Sequence, residues 1–241
     1  MSADIIATAE AFLAKEHPQA LCAFVAGAHR RGEQLPSSDI DLVIMYGPAF
    51  QQPHRNSYIF DGWPIEIFVQ NVKAQEFFLE RDRQRGMCVL ASMIVEGVAI
   101  GPDPVFARMR QDRARDFIAA GPLLLGPDEI EKRVYQICDA LDDLRDSRPD
   151  GEILGCLANL YLQLGDLHLR AKGLWSGHGK QLFRRLKLAD EKLAGRYERA
   201  FAKAHQRDMR PLFALAEEIL EPLGGFNWAG YYAAASDKWR G

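Results

Sequence analysis

The 241-residue sequence predicts a small α/β domain built on a mixed sheet (α+β class), followed by an all-α helical bundle. Two observations support this prediction. Short apolar segments alternate with helical periodicity up to about residue 103, whereas beyond it only helical periodicities remain, separated by Gly-Pro breaks at residues 121–122 and 126–127. A typical domain has about 150 residues, so a chain of this length can form two smaller domains. We therefore predict domains at residues 1–103 and 104–241.

The elements of the first domain follow from periodicity and turn residues. Apolar positions between Ile5 and Leu13 recur at helical spacing, which predicts an amphipathic helix. Residues 58–60 and 63–69 flank Asp61-Gly62, a type I′ turn signal, and are predicted to form a hairpin. The other predicted elements are strands at residues 21–26, 40–45 and 95–100 and helices at residues 73–85 and 87–93.

In the second domain, an apolar stripe predicts a bundle helix. Its members are Ile130, Val134, Ile137, Leu141 and Leu144. Residues 153–169 are apolar on nearly every side, which places this helix at the centre of the bundle. Further helices are predicted at residues 180–188, 190–205 and 209–220.

Composition excludes several classes of protein. With 30 Lys and Arg against 33 Asp and Glu, the net charge of −3 argues against a general nucleic-acid or anionic-membrane binder. The longest uncharged stretch, residues 222–236, is too short and too rich in glycine to span a membrane, and the N-terminus lacks a secretion signal, so we expect a cytoplasmic protein. The four cysteines are far apart and predict buried thiols rather than disulfides or a zinc site.

Two carboxylates occupy an unusual position on an apolar strand. Asp39 and Asp41 are two residues apart and therefore project from the same side. Like charges near a core are costly unless a cation compensates them, and Mg²⁺ binds such carboxylates together with water and phosphate oxygens. Glu66 interrupts another apolar strand and can meet this pair if the two strands are neighbours. Upstream, Gly27 ends a strand where backbone N–H groups can approach a phosphate, and Arg30 or Arg31 adds positive charge.

These residues resemble the signature of nucleotidyltransferases of the DNA polymerase β superfamily. That signature is an apolar strand, Gly-Ser or Gly-Gly, a loop, Asp-x-Asp between apolar residues, and a third acid on a later strand. Here it reads Gly27-Ala28, Asp39-Ile40-Asp41 and Glu66, with Ser38 in the loop. A second, looser resemblance joins Trp175-x4-Lys180 to the helical domain of aminoglycoside and kanamycin nucleotidyltransferases.

The resemblance implies Mg²⁺-dependent transfer of a nucleoside monophosphate, AMP from ATP, to a hydroxyl of a small-molecule or protein acceptor. Asp39 and Asp41 are then the magnesium ligands, and Glu66 either joins a second metal or takes the acceptor proton. The nucleotide is implied to contact five residues: Gly27, Ala28, Arg31, Ser38 and Lys180.

Several alternatives stay open at this level. Ala28 stands where the family has Ser or Gly, which suits a degenerate, non-catalytic nucleotide-binding member. A component of a toxin–antitoxin module is a further alternative. Asp39-x-Asp41 can also be a turn and strand cap, and Glu66 alone can be an edge-strand residue that faces water. The sequence does not decide the acceptor, the general base, or whether the chain is a homodimer.

Overall fold

The computed structural model describes residues 3–27, 38–226 and 229–235, which form two compact units, Met1–Pro122 and Leu123–Gly241. The described residues contain a five-stranded mixed sheet and nine α-helices, which confirms the predicted α+β class with a helical second half. Helix α4 (Pro104–Ala120) packs with strands of the first unit. The domain boundary at residue 103 stays a prediction.

The first unit is built around the sheet. Its strands are β1 (Cys22–Ala26), β2 (Ile40–Met45), β3 (His54–Phe60), β4 (Trp63–Gln70) and β5 (Val98–Ile100). They lie in the order β3-β4-β2-β1-β5, in which β2 and β4 are parallel and the other pairs are antiparallel. The helices are α1 (Ala3–Glu16), α2 (Val72–Arg85), α3 (Val89–Glu96) and α4.

The hairpin forms at the predicted turn. Asp61 and Gly62 both have positive φ, 48° and 81°, as a type I′ turn requires. Strand β3, however, begins at His54, four residues before the predicted start at Tyr58. Its first four residues are polar and exposed because β3 is an edge strand, so no apolar alternation marks them.

Alternating residues of the sheet serve two different environments. One face of the sheet packs against α1. Val25, Leu42 and Ile67 of this face form an apolar cluster with Phe12 of α1. Side chains of the other face alternate with these along each strand. They include Phe24 and Val43, which are fully buried outside that cluster, and Asp41, which lies two residues before Val43. The acidic residues therefore lie on the same face as Phe24 and Val43, which are buried, and as exposed residues of the edge strand β3.

The second unit is a helical bundle around its own core. It comprises α5 (Pro127–Asp143), α6 (Asp150–Ala171), α7 (Lys180–Ala189), α8 (Glu191–His205), α9 (Arg210–Leu220) and a 3-10 turn (Glu221–Leu223). Helix α6 contacts α5, α7, α8 and α9, which confirms its predicted central place. The first turns of α6 are more exposed to solvent than the sequence predicts, since Leu154 is 57% exposed.

The cysteine side chains and the apolar character of the helices can be compared with the sequence predictions. All four cysteines are free thiols, three of them buried, in agreement with the sequence analysis. Burial raises the pKa of the Cys22 thiol to about 12, so this side chain stays a protonated packing group. Among the described helices, none combines the length and the apolar character needed to cross a bilayer.

Candidate metal centre

Strand register brings the three predicted acids together. Strands β2 and β4 run parallel, and in their register Asp41 lies directly opposite Glu66. Asp39 lies two residues before Asp41 and immediately before β2, so the alternation of the strand directs it to the same side. One carboxylate oxygen of each residue lies within 4.8 Å of those of the other two. The condition that the two strands be neighbours is therefore met.

Gly27 borders this cluster for a steric reason. It follows Ala26, which pairs with Asp41 across β1 and β2. Its φ of +89° is a conformation that residues with a side chain rarely adopt, and a Cβ placed there would lie 2.3 Å from Oδ2 of Asp41. A glycine at this position thus gives the Asp41 carboxylate the space it occupies.

Arg55 is a neighbour of the cluster that the sequence analysis missed. Its Nε and Nη2 donate hydrogen bonds of 3.0 and 2.6 Å, both to Oε1 of Glu66. The guanidinium also lies 4.9 Å above the centre of the Phe68 ring. The sequence contains a signal for this contact. If the hairpin pairing is extended outward from the Asp61-Gly62 turn, residue 55 pairs with residue 68, and Glu66 is then its diagonal neighbour on the same face.

The position of Glu66 corrects one alternative. Strand β4 lies between β3 and β2, so the interpretation of Glu66 as a residue of an edge strand is wrong. Its side chain is 20% exposed and faces Asp41 on one side and the hairpin on the other. A partly buried carboxylate beside a second carboxylate needs cationic partners, and Arg55 supplies one of them.

The cluster fits a hard divalent cation. Asp39, Asp41 and Glu66 offer only carboxylate oxygens, the donors that Mg²⁺ prefers. With Mg–O distances near 2.1 Å, ligand oxygens on opposite sides of one ion are about 4.2 Å apart. The observed spacing of up to 4.8 Å therefore needs only small side-chain rotations to converge on an ion. The three carboxylates carry three formal negative charges and the Arg55 guanidinium carries one positive charge, so a divalent cation is electrostatically favourable here.

The remaining predicted binding residues are placed unequally. Ser38 is half-buried and directly precedes Asp39. Ala28 and Arg31 lie outside the described residues. Lys180 is the exposed first residue of α7 and belongs to the second unit. The structure thus groups Gly27 with the three acids, whereas nucleotide contacts by the other residues stay predictions.

Comparisons with known proteins give distant similarity only. No family model matches the sequence, and no curated protein matches it significantly. Among solved structures, the chain is similar to a nucleotidyltransferase-like protein from Exiguobacterium sibiricum, with 12% identity over 90% of this chain and 74% of that one, at a TM-score of 0.46. A similarity this distant assigns no family, so the functional argument rests on the carboxylates and on the strands that carry them.

Proposed function

We propose that the chain is a Mg²⁺-dependent nucleotidyltransferase that moves a nucleoside monophosphate, AMP from ATP, to a hydroxyl of a small-molecule or protein acceptor. The observation that carries the proposal is the convergence of Asp39, Asp41 and Glu66 from two neighbouring parallel strands. Two kinds of evidence agree here. The sequence has the signature of Gly27, Asp-x-Asp and a later acid, and the carboxylate oxygens have a spacing that suits a metal ion.

Each residue of the cluster has a proposed role. Asp39, Asp41 and Glu66 hold the cation, and Gly27 leaves room for the Asp41 carboxylate. A bound divalent cation supplies positive charge that offsets the triphosphate and stabilises the charge that develops during phosphoryl transfer. Ser38 is a candidate nucleotide contact beside Asp39. Ala28, Arg31 and Lys180 are candidate nucleotide contacts on the sequence resemblance alone.

Glu66 has two oxygens with different surroundings. Oε1 accepts both hydrogen bonds from Arg55, and Oε2 receives none from it. Oε2 is therefore the atom that we assign to the cation or to the proton of the attacking hydroxyl. A general base must lie within hydrogen-bond reach of that hydroxyl, and Glu66, which lies directly across from Asp41, is the carboxylate that would serve as this base if it does not bind a metal ion.

The test is a transfer assay with purified protein. The protein is incubated with Mg²⁺ and α-labelled ATP, GTP, CTP or UTP, with aminoglycosides and cell extract as acceptors, and pyrophosphate release and label transfer are measured. Asp41→Asn removes one ligand charge without changing size, and we expect it to lower transfer on the order of 1,000-fold or more. Asp116→Asn, at an exposed aspartate of α4, is the matched control and should transfer normally.

Two results would contradict the proposed function. Undiminished transfer by Asp41→Asn would rule out the assignment of the metal site. If the wild-type chain shows neither transfer nor Mg²⁺-dependent binding of any nucleotide, the chain is a non-catalytic member of the fold, in line with Ala28 in its signature.

A further inference from the structure

We propose that Arg55 is a positioning residue that fixes the carboxylate of Glu66 for cation binding, a proposal that rests on the function proposed above. Arg55 is not part of the family-like signature, and it lies on the exposed edge strand β3 rather than on the strands that carry the acids. Its guanidinium contacts the Phe68 ring and one oxygen of Glu66.

The guanidinium is fixed by two different contacts on β4. Arg55 lies opposite Phe68 in the register of β3 and β4, and its Cζ lies 4.9 Å above the Phe68 ring. From there the side chain extends along the strand to Glu66, which is two residues from Phe68 and therefore on the same face. A planar group that stacks on a ring and donates at its edge has little rotational freedom left.

Both donated hydrogen bonds end on the same oxygen of Glu66. Because Nε and Nη2 share Oε1, they hold this oxygen in place, and Oε2 is left for another partner. An arginine that neutralised a carboxylate as a simple ion pair would more commonly bind both oxygens, one with each nitrogen. The observed geometry holds one oxygen and leaves the other for a ligand bond.

Arg55 also adjusts the charge of the cluster. The three carboxylates alone would carry −3, and their oxygens lie within 4.8 Å of one another. The guanidinium places one positive charge beside Glu66, which lowers the repulsion among the acids before a cation binds. Groups that orient metal ligands in this way affect metal affinity about 10–100-fold when they are removed.

The experiment measures binding of Mn²⁺ alone, followed by the signal of free Mn²⁺ in electron paramagnetic resonance. We expect Arg55→Met to weaken Mn²⁺ binding about 10–100-fold. Arg55→Lys, which keeps the charge but loses the planar fork, should fall between wild type and Arg55→Met. The matched control is Arg81→Met, because Arg81 stacks on Phe78 in the same unit, with Cζ 5.6 Å from the ring centre, and should leave Mn²⁺ binding unchanged.

A double variant tests whether Arg55 acts through Glu66. If it does, Arg55→Met combined with Glu66→Gln binds Mn²⁺ no more weakly than Glu66→Gln alone. Additive losses would overturn the inference, and so would wild-type affinity in Arg55→Lys, since the charge alone would then suffice. Tighter binding by Arg55→Met would also overturn it, because the guanidinium would then be a competitor of the cation.

The results also separate this inference from the proposed function. If Asp41→Asn abolishes Mn²⁺ binding while Arg55→Met binds as wild type does, the metal site stands and the positioning role fails. If the wild-type chain binds no Mn²⁺, or if Asp41→Asn binds it normally, the metal site and the positioning role fail together.

Discussion

Gly27 and Asp41 meet where strands β1 and β2 end together. A Cβ atom at position 27 would lie only 2.3 Å from Oδ2 of Asp41. Real Cβ atoms do not approach other atoms so closely, so a substitution must displace either the carboxylate or the backbone. The geometry of the carboxylate cluster is thereby coupled to a residue that has no side chain.

We expect Gly27→Ala to weaken Mn²⁺ binding at least about 10-fold and to lower stability by about 1–2 kcal/mol. The first effect arises from displacement of Asp41, and the second from a positive φ that alanine rarely adopts. Calorimetric titration with Mn²⁺ and urea unfolding measure the two effects separately.

Gly62→Ala is the matched control for this variant. Gly62 also has a positive φ, +81°, but a Cβ there would meet nothing within 4 Å. This variant should lose about 1 kcal/mol of stability through the same backbone strain and keep the Mn²⁺ affinity of wild type. Equal loss of Mn²⁺ affinity in both variants would show that backbone strain, and not the contact with Asp41, is responsible.

At the scale of elements, Asn71 joins strand β4 to helix α2. Its side-chain oxygen accepts a 2.8 Å hydrogen bond from the Ala74 backbone N–H, which caps the helix, and its amide donates a 2.6 Å bond to the Phe50 carbonyl. The side chain is buried, so both partners would lose their hydrogen bonds if it were truncated. One residue thus fixes the end of β4, the start of α2 and the loop before β3.

Asn71→Ala should lower the free energy of unfolding by about 2–3 kcal/mol, since it removes a helix cap and leaves the partly buried Phe50 carbonyl without its partner. Asn71→Ser can keep the cap but cannot reach Phe50, and should recover about 1 kcal/mol of the loss. Urea unfolding measures both. Lys73→Ala, at an exposed residue of the first turn of α2, should change stability by less than about 0.5 kcal/mol. Equal stability of the Ala and Ser variants would mean that the cap contributes nothing.

What the sequence predicts at this scale is local, and what it misses is pairing between distant segments. The Asp61-Gly62 turn is encoded by two adjacent residues and is found where expected. The parallel pairing of β2 with β4 depends on packing between segments about 25 residues apart, so the sequence could state only that Glu66 meets Asp41 if the strands are neighbours. The exposed start of β3 has no apolar pattern, so Arg55 could be placed only by counting the hairpin pairing outward from Asp61-Gly62.

At the scale of the whole molecule, each unit of the described chain has an apolar cluster of its own. One lies between α1 and the sheet, and the other lies among helices α5 to α9. The change in the sequence from mixed to purely helical periodicity predicts two separate apolar clusters, because an amphipathic pattern indicates which face of an element is buried. Stability measurements on this protein therefore report on two cores, and each variant should be interpreted in terms of the core that it affects.

The pH dependence of stability should depend on a half-buried histidine of the second unit. The pKa of His168 on α6 is lowered to about 4, first by burial and then by the neighbouring Lys172 ammonium, which lies 3.2 Å from its Nε2. The carboxylates of Asp190 and Glu218 act in the opposite direction. In the unfolded chain the same imidazole has a pKa near 6.5. Above pH 6.5 it is neutral in both states and its contribution is fully present. Below that pH the unfolded chain gains a proton that the folded chain does not accept until about pH 4, so stability falls through this window.

Between pH 7.5 and pH 5 we expect His168 to account for a loss of about 1–2 kcal/mol, discounted for its partial exposure. Urea unfolding at the two pH values measures the loss in wild type, and His168→Gln should reduce the difference by that amount because glutamine does not titrate. His205→Gln, at an exposed histidine of α8, should keep the wild-type difference. If His168→Gln retains the full pH dependence, then His168 already carries its proton in the folded bundle at pH 5, and the Lys172 ammonium must move away from Nε2 to allow it.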